Sequence, residues 1–284
     1  VGYNHPYVLD NAKRLEEASI NKPANSDIYS AQMAEFVDTM GKVVQPNYLP
    51  YAFYIEGGAL AVENALKIAF DWKSRKNLQD GKTQGENLVV HLKDCFHGRT
   101  GYTMSLTDSP DKRKVQYFPK FNWPRITNPH VTFPQNKENI AKVEQLEKKS
   151  IDELKNIINK SKDDIACLIL EPIQGEGGDN HFRFEYFKEL KVLSQENDFL
   201  LIYDEVQTGI GITGKMWAHQ HFCEPSCHFS CITHCKAIEP DIISFGKKTQ
   251  VCGVFAGERL NEVENHVFHE SSRINSTFGG NLVD

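Results

Sequence analysis

Two features that often reveal a protein's partners are missing from this sequence of 284 residues: an excess of positive charge and a long apolar run. Its 38 acidic residues outnumber its 32 lysines and arginines, which gives a formal net charge of −6. That balance gives no support to a nucleic acid or an anionic membrane as the partner. No apolar run approaches the roughly 20 residues that span a bilayer, and the first residues lack the pattern of a signal peptide. A cytoplasmic protein is therefore expected.

Two common ligand-binding motifs are missing as well. The chain contains no GxxxxGK[ST] phosphate loop, which a nucleoside-triphosphatase would need. Its seven cysteines include no CxxC pair. Four of them recur at every fourth residue, with four histidines nearby: Cys223, Cys227, Cys231 and Cys235. This segment could be a loop exposed to solvent, a zinc-binding segment or a translated intron, so no metal site is assigned.

The middle of the chain alternates short apolar runs with helical patterns. The runs are nearly continuous in apolar residues, as in strands buried on both faces of a parallel sheet, and they occupy residues 88–92, 165–170, 199–203 and 241–245. Apolar residues at helical spacing mark 59–76, 184–196 and an amphipathic stretch within 136–164. The alternation predicts an α/β domain with a mostly parallel central sheet flanked by helices.

Three segments beside the predicted strands carry candidate chemistry. Residues 200–209 deliver Asp204 and Glu205 to a strand end, where a buried Asp needs a cationic partner such as a protonated pyridine nitrogen, although such a pair could also bind Mg²⁺. Residues 56–60 (EGGAL) lead into a helix whose N-terminus suits a small phosphate group. Lys247 follows a predicted strand and a glycine, where burial would favour the neutral amine that Schiff-base chemistry needs.

Taken in order, the motifs GGA, FHGR, EPIQGEGG, DEVQTG and FGK resemble those of class III (omega) aminotransferases, which are fold-type I pyridoxal-phosphate enzymes. The resemblance covers nearly the whole chain, and NKPANSD, AFDWKSR and GKKTQVCG are similar to the lysine 6-aminotransferases of that class. It implies pyridoxal 5'-phosphate as cofactor and transfer of the ε-amino group of L-lysine to 2-oxoglutarate, which gives 2-aminoadipate 6-semialdehyde and L-glutamate. The alternatives are an ornithine, acetylornithine or 4-aminobutyrate donor, or a non-catalytic chain.

The resemblance implies a role for each matching residue. Lys247 would bond to the cofactor and shuttle the proton, and Asp204 would pair with the pyridinium nitrogen. Further contacts to the ring and the phosphate are expected from Gly58, Ala59, Phe96, His97, Val206 and Gln207. Arg99 would bind the α-carboxylate of lysine. Glu176 would mask an arginine C-terminal to this chain while an amino donor is bound, and Glu171 would orient the glutamine amide.

The resemblance also implies a homodimer. Thr277 would reach the phosphate of the cofactor in the neighbouring subunit. Residues 1–50 are expected to lead into a cofactor-binding large domain at 51–284, in which 219–238 resemble an insertion. A C-terminal small domain, absent from this chain, is expected to complete the protein.

Overall fold

The structure is a computed structural model that describes residues 3–223 and 235–283. Its strands are β1 Tyr51–Glu56, β2 Leu88–Leu92, β3 Arg125–Ile126, β4 Ile165–Leu170, β5 Ile173–Gln174, β6 Asn180–His181, β7 Leu200–Asp204, β8 Ile242–Phe245 and β9 Val251–Ala256. Its α-helices are α1 Pro6–Asp10, α2 Ala12–Ile20, α3 Ala31–Val43, α4 Gly58–Gln79, α5 Gly101–Leu106, α6 Lys137–Ser161 and α7 Phe184–Glu196. Each predicted strand and helix is therefore present, with small shifts at the ends.

The cysteine-rich segment lies mostly outside the described residues. Cys223 and Cys235 belong to them, whereas Cys227 and Cys231 do not. Within residues 3–223 and 235–283, no three His, Cys, Asp or Glu side chains come together as a metal site. Across the same residues, no helix combines the length and apolarity needed to cross a membrane.

A seven-stranded sheet of order β1-β9-β8-β7-β4-β2-β3 is the frame of the structure. β9 runs antiparallel to its neighbours β1 and β8, while the other neighbouring pairs are parallel, so the prediction of a mostly parallel sheet is confirmed. The connection from β8 to β9 spans only residues 246–250. Because a parallel crossover needs a dozen residues or more, β9 must turn back along β8.

Helices cover both faces of the sheet, which explains the continuous apolar strands. On one face α4 buries Ala65, Leu66, Ile68, Ala69 and Trp72 against the sheet. On the other face α6 and α7 contribute Ile151, Leu154, Phe187, Leu190 and Leu193 to a second cluster. Every residue of β4 and of β7 is buried between these two layers. A strand in that position has no solvent-facing side, so its sequence shows no alternation.

Six strands of the sheet, all except β9, run in the same direction, and five of them end beside the predicted site residues. β1, β2, β4, β7 and β8 point the same way, so the segments that follow them meet there. These segments carry the residues that the sequence singled out, among them Gly58, Phe96, Glu171, Asp204 and Lys247. Ligands of open α/β sheets bind outside the carboxyl ends of the strands.

Asp241, which precedes β8, is a buried carboxylate (5% exposed) that joins three elements. It accepts hydrogen bonds from Lys191 Nζ on α7 (2.9 Å), from Arg259 Nη1 (2.9 Å) and from the backbone N–H of Leu201 (2.8 Å). Removal of the carboxylate would leave the buried Lys191 ammonium without this partner and would leave Arg259 with only the more distant carboxylate of Glu262.

Replacing Asp241 with alanine should therefore lower the free energy of unfolding by about 3–5 kcal/mol, as measured by urea denaturation. The matched control is Asp38→Ala, which removes an exposed carboxylate paired with Lys42. That change should cost less than about 1 kcal/mol. Equally small losses for the two variants would contradict the structural role given to Asp241.

Candidate functional site

A cavity of about 340 Å³ opens at the edge where the parallel strands end. It is lined by Gly58, Ala59, Phe96, His97, Gly98, Arg99, Glu171, Asp204, Val206, Gln207 and Lys247. All the predicted site residues except Glu176 and Thr277 therefore line one cavity. Two larger depressions, of about 580 and 380 Å³, lie elsewhere and contain none of these residues.

Asp204, the last residue of β7, is the buried carboxylate of the cavity. One oxygen accepts hydrogen bonds from the Val206 backbone N–H (3.1 Å) and the Ser244 hydroxyl (3.2 Å). The other oxygen lies 2.8 Å from His97 Nδ1. These contacts fix the orientation of the carboxylate. A cationic ring nitrogen in the cavity would find its counter-ion there.

His97 is buried next to Asp204 and contacts one of its carboxylate oxygens. Burial alone would lower the pKa of His97, but the Cys95 sulfur and the Asp204 carboxylate outweigh it, so the pKa is raised well above its ordinary value. The His97 ring and the Asp204 carboxylate are therefore joined by a buried contact of 2.8 Å. The sequence predicted His97 at the cofactor site. In the structure His97 lines the cavity and contacts the Asp204 carboxylate.

Glu205 follows Asp204 directly but points away from the cavity. Its carboxylate accepts hydrogen bonds from the backbone N–H groups of Ala218 (2.9 Å) and His219 (3.0 Å) and lies 2.8 Å from His219 Nδ1. Burial would raise the pKa of Glu205, but His219 lowers it below its ordinary value. Glu205 thus holds the segment that returns after β7. Because Asp204 and Glu205 contact separate sets of partners, the two carboxylates are not arranged to bind one Mg²⁺ ion.

Lys247 lies on the turn after β8, at the open side of the cavity. Its Nζ donates a hydrogen bond to Gln207 Oε1 at 2.7 Å, so two predicted residues meet at the strand ends. The backbone of Lys247 has φ of +44°, which is uncommon for a residue with a side chain and recurs at functional sites. The expectation that this lysine is buried is wrong, because the turn extends beyond the edge of the sheet and leaves the side chain exposed.

The N-terminus of α4 forms another wall of the cavity. Gly57 precedes the helix with φ of +85°, and no side chain of the described residues caps this end. The first backbone N–H groups of α4 are thus free for an anion, which the helix dipole also favours. A Cβ on Gly58 would lie only 2.6 Å from Val206 Cγ1, so a glycine is needed where the helix approaches the strand end.

The mouth of the cavity carries charges around the ring of Phe96. The Arg99 guanidinium and the Lys114 ammonium each lie 6.0 Å from the ring centroid. Lys114 also forms an ion pair with Glu176. Glu176 therefore stands beside the cavity, paired with a cation that the sequence did not single out.

Glu171, the residue after β4, is a buried acid in the cavity wall. It accepts hydrogen bonds from the backbone N–H of Phe96 at 2.9 Å and from that of Gly175. Burial raises the pKa of Glu171 to about 7, while the charge of His97 lowers it and that of Asp204 raises it. The expected contact with the Gln207 amide stays a prediction.

The raised pKa of Glu171 gives stability a dependence on pH. Because the folded-state pKa is above that of the unfolded chain, the folded protein holds the proton more tightly and loses stability as pH rises from about 4.5 to 7. Glu171→Gln keeps the shape without titrating. Its free energy of unfolding relative to the wild type should therefore rise by about 2 kcal/mol between pH 5 and 8, measured by urea denaturation of the cofactor-free protein.

The matched control for this experiment is Glu196→Gln, at the exposed end of α7. Its free energy of unfolding relative to the wild type should stay constant over the same range. A constant difference for Glu171→Gln as well would mean that the Glu171 carboxyl titrates alike in the folded and unfolded chains.

Sequence reasoning missed Ser244, Lys114 and Gly175. Ser244 lies directly opposite Asp204 in the parallel register of β7 and β8, so its position in the strand was the available signal. A Cβ on Gly175 would collide with the Gln207 side chain. The contact between Lys114 and Glu176 joins residues 62 positions apart, with no local pattern to announce it. Thr277 is exposed and outside the cavity, so its expected role stays a prediction.

The residues of the cavity fit pyridoxal phosphate as a set. A buried carboxylate, Asp204, suits a ring nitrogen, the amine of Lys247 suits an aldehyde, and the free N-terminus of α4 suits a phosphate. The ring of Phe96 and the branched side chain of Val206 add apolar surface for an aromatic ligand.

The whole chain, residues 1–284, matches the family model described as aminotransferase class-III. Curated L-lysine-epsilon aminotransferases are similar along the whole chain. The one of Mycobacterium bovis is 47% identical over 100% of this chain and 60% of its own length, and that of Streptomyces clavuligerus is 44% identical over 100% and 59%. The human mitochondrial 4-aminobutyrate aminotransferase is 30% identical over 92% of this chain and 53% of its own.

Solved structures agree with this pattern. The lysine aminotransferase from M. tuberculosis in the internal aldimine form has a TM-score of 0.90 at 46% identity, over 100% of this chain and 62% of that one. An (S)-enantioselective omega-transaminase from Thermomicrobium roseum has a TM-score of 0.77 at 22% identity, over 100% and 59%, and shows the fold alone. The chain spans about 60% of the length of the curated lysine aminotransferases that it matches.

Proposed function

Because the chain belongs to the class III aminotransferase family, we propose that it serves in the pyridoxal-phosphate-dependent transfer of the ε-amino group of L-lysine to 2-oxoglutarate. The products would be 2-aminoadipate 6-semialdehyde and L-glutamate. The observation that carries the reaction type is the placement of Asp204 and Lys247 at neighbouring strand ends in one cavity. The choice of lysine rests on identities of 44–47% to lysine aminotransferases, against 30–32% to 4-aminobutyrate aminotransferases.

Asp204 and the helix terminus would hold the cofactor. When bound, pyridoxal phosphate supplies an aldehyde that joins amines and a ring that withdraws electrons from the neighbouring carbon. Asp204 would keep a proton on the ring nitrogen, with His97, Ser244 and the Val206 N–H holding its oxygens in place. Phe96 and Val206 would pack against the ring faces. The N–H groups of Gly58 and Ala59 would bind the phosphate.

Lys247 would be both the anchor for the aldehyde and the base. Its amine would take the proton that leaves the ε-carbon of lysine and deliver it to C4′ of the cofactor. The same amine would move a proton in the opposite direction when 2-oxoglutarate is the substrate. Gln207, 2.7 Å away, would orient the amine through its side-chain oxygen. The exposed position of Lys247 leaves the amine free to move between these two tasks.

Arg99 would decide which end of lysine reacts. Its guanidinium lies above the ring of Phe96 at the mouth of the cavity. A planar fork of N–H donors suits a carboxylate, so it would hold the α-carboxylate and direct the ε-amine inward. Glu176 lies beside the same mouth. Its carboxylate would mask an arginine C-terminal to this chain while an amino donor is bound.

We further propose a homodimer in the cytoplasm, with Thr277 contributing to the cofactor phosphate of the neighbouring subunit. The exposure of Thr277 and its position outside the cavity of its own chain are compatible with that arrangement. Residues 51–284 would form the cofactor-binding large domain, beginning with β1.

Replacing Lys247 with alanine should abolish the visible absorbance band of the protein-bound cofactor. Borohydride reduction of the wild type, followed by peptide mass spectrometry, should locate the cofactor on Lys247. The matched control is Lys248→Ala, since Lys248 donates to the Gln207 backbone carbonyl instead of facing the cavity. Attachment at Lys248, or a band retained by Lys247→Ala, would contradict the assignment.

Replacing Arg99 with methionine should lower kcat/KM for L-lysine about 10- to 100-fold, because a charge-assisted contact to the α-carboxylate is lost. Cadaverine, which has the same amine and no carboxylate, should be affected far less. The control is Arg113→Met, a variant that removes the guanidinium paired with Asp111 on the surface.

The identity of the donor is tested with the wild type, by comparing kcat/KM for L-lysine with that for ornithine, acetylornithine and 4-aminobutyrate. A higher kcat/KM for any of these three would contradict the proposal that lysine is the donor.

A further inference from the structure

Lys114 is the one member of the charged group around Phe96 to which no role has been given so far. It ends the 3-10 turn Lys112–Lys114, and its ammonium contacts both the Phe96 ring, at 6.0 Å from the centroid, and the Glu176 carboxylate. Its side chain is 22% exposed, and that of Glu176 is 37% exposed. Lys114 is therefore partly shielded from water, whereas Glu176 is exposed, and the two charges meet beside the Phe96 ring.

The backbone that carries Glu176 is held firmly in place. It lies on the turn between β5 and β6, where the Gln174 side-chain oxygen accepts hydrogen bonds from Asn128 and Asn180 at 2.8 Å each. Gly175 lies against the Gln207 side chain, and Gly177 against the backbone carbonyl of Asp94, with no space for a Cβ at either glycine. Any movement of Glu176 must therefore come from its side chain. The position of its negative charge then depends on which group the carboxylate contacts.

The charges at the mouth bear directly on the two substrates. Arg99 and Lys114 contribute two positive charges and Glu176 one negative charge around the same ring. Of the proposed substrates, 2-oxoglutarate carries two negative charges, whereas lysine carries a net positive charge. An unpaired Glu176 would repel the first substrate and not the second.

We propose that Lys114 is a positioning residue that neutralises and holds the Glu176 carboxylate so that a dicarboxylate keto acid can occupy the mouth of the cavity. The inference rests on the proposed function for the identity of the acceptor. In this arrangement Arg99 remains free for a substrate carboxylate, because Lys114 satisfies Glu176. Lys114 then sets the preference for dicarboxylates over monocarboxylates and amines.

The test is a set of variants of the full chain: Lys114→Met, Lys114→Arg, Glu176→Gln, the double variant Lys114→Met/Glu176→Gln, and Lys112→Met as control. Lys112 lies on the same turn and pairs with Asp108, away from Phe96. The two half-reactions are followed separately with lysine and with 2-oxoglutarate. Binding of glutarate, an unreactive dicarboxylate, is measured by calorimetry at low ionic strength.

In Lys114→Met, kcat/KM for 2-oxoglutarate should fall about tenfold more than that for lysine, mainly through KM, and glutarate affinity should fall about tenfold. Lys114→Arg and the double variant should return glutarate affinity to within about threefold of the wild type, since the first keeps the cation and the second removes the repelling charge. Added salt should shrink every difference. Lys112→Met should behave as the wild type.

Equal losses for both half-reactions in Lys114→Met, or no rescue in the double variant, would overturn the proposal. A failure of the proposed function would give results that differ from a failure of the role proposed for Lys114. A wild type that binds glutarate in a Lys114-dependent manner but does not consume lysine would contradict the donor and support the role of Lys114. A wild type that consumes lysine, with Lys114→Met unchanged for glutarate and 2-oxoglutarate, would contradict the role of Lys114 alone.

Discussion

The buried carboxylate of Asp204 is the constraint on which the rest of the site depends. A charge at the end of a fully buried strand is costly unless donors surround it, and here a histidine, a hydroxyl and a backbone N–H do so. These three donors come from three different segments of the chain, so the carboxylate also fixes their relative positions. The carboxylate also lines the cavity, where it can meet the positive charge of a ligand.

The two acidic residues at the end of β7 show how one strand can serve two purposes. Successive side chains of a strand point to opposite sides, so Asp204 faces the cavity while Glu205 turns toward the returning chain. The partners of Glu205 are His219 and two backbone N–H groups, and they hold the segment after β7 in place. A carboxylate that faces the cavity is thus followed directly by one that holds the neighbouring chain segment in place.

Sequence reasoning predicted the fold well where the signal is local, and most of the residues that it singled out line one cavity. The apolar runs of β2, β4, β7 and β8 and the helical spacing of α7 read directly from the chain, because burial on both faces leaves a continuous pattern. The antiparallel β9 and its partner β1 were missed, since only the length of a connection and the sheet order reveal them. The contact of Ser244 with Asp204 joins residues 40 positions apart and becomes visible only once β7 is paired with β8.

The exposure of Lys247, which the sequence did not predict, fits the charges at the mouth of the cavity. In the proposed reaction the amine would meet an anionic and a cationic substrate in turn, and fixed charges of one sign around it would disfavour one of the two. The mouth instead combines the Arg99 guanidinium, which lies over the Phe96 ring, with the ion pair of Lys114 and Glu176. In the proposed reaction, the residues on the strand ends would serve both half-reactions. The side chains on turns at the mouth would distinguish the two substrates.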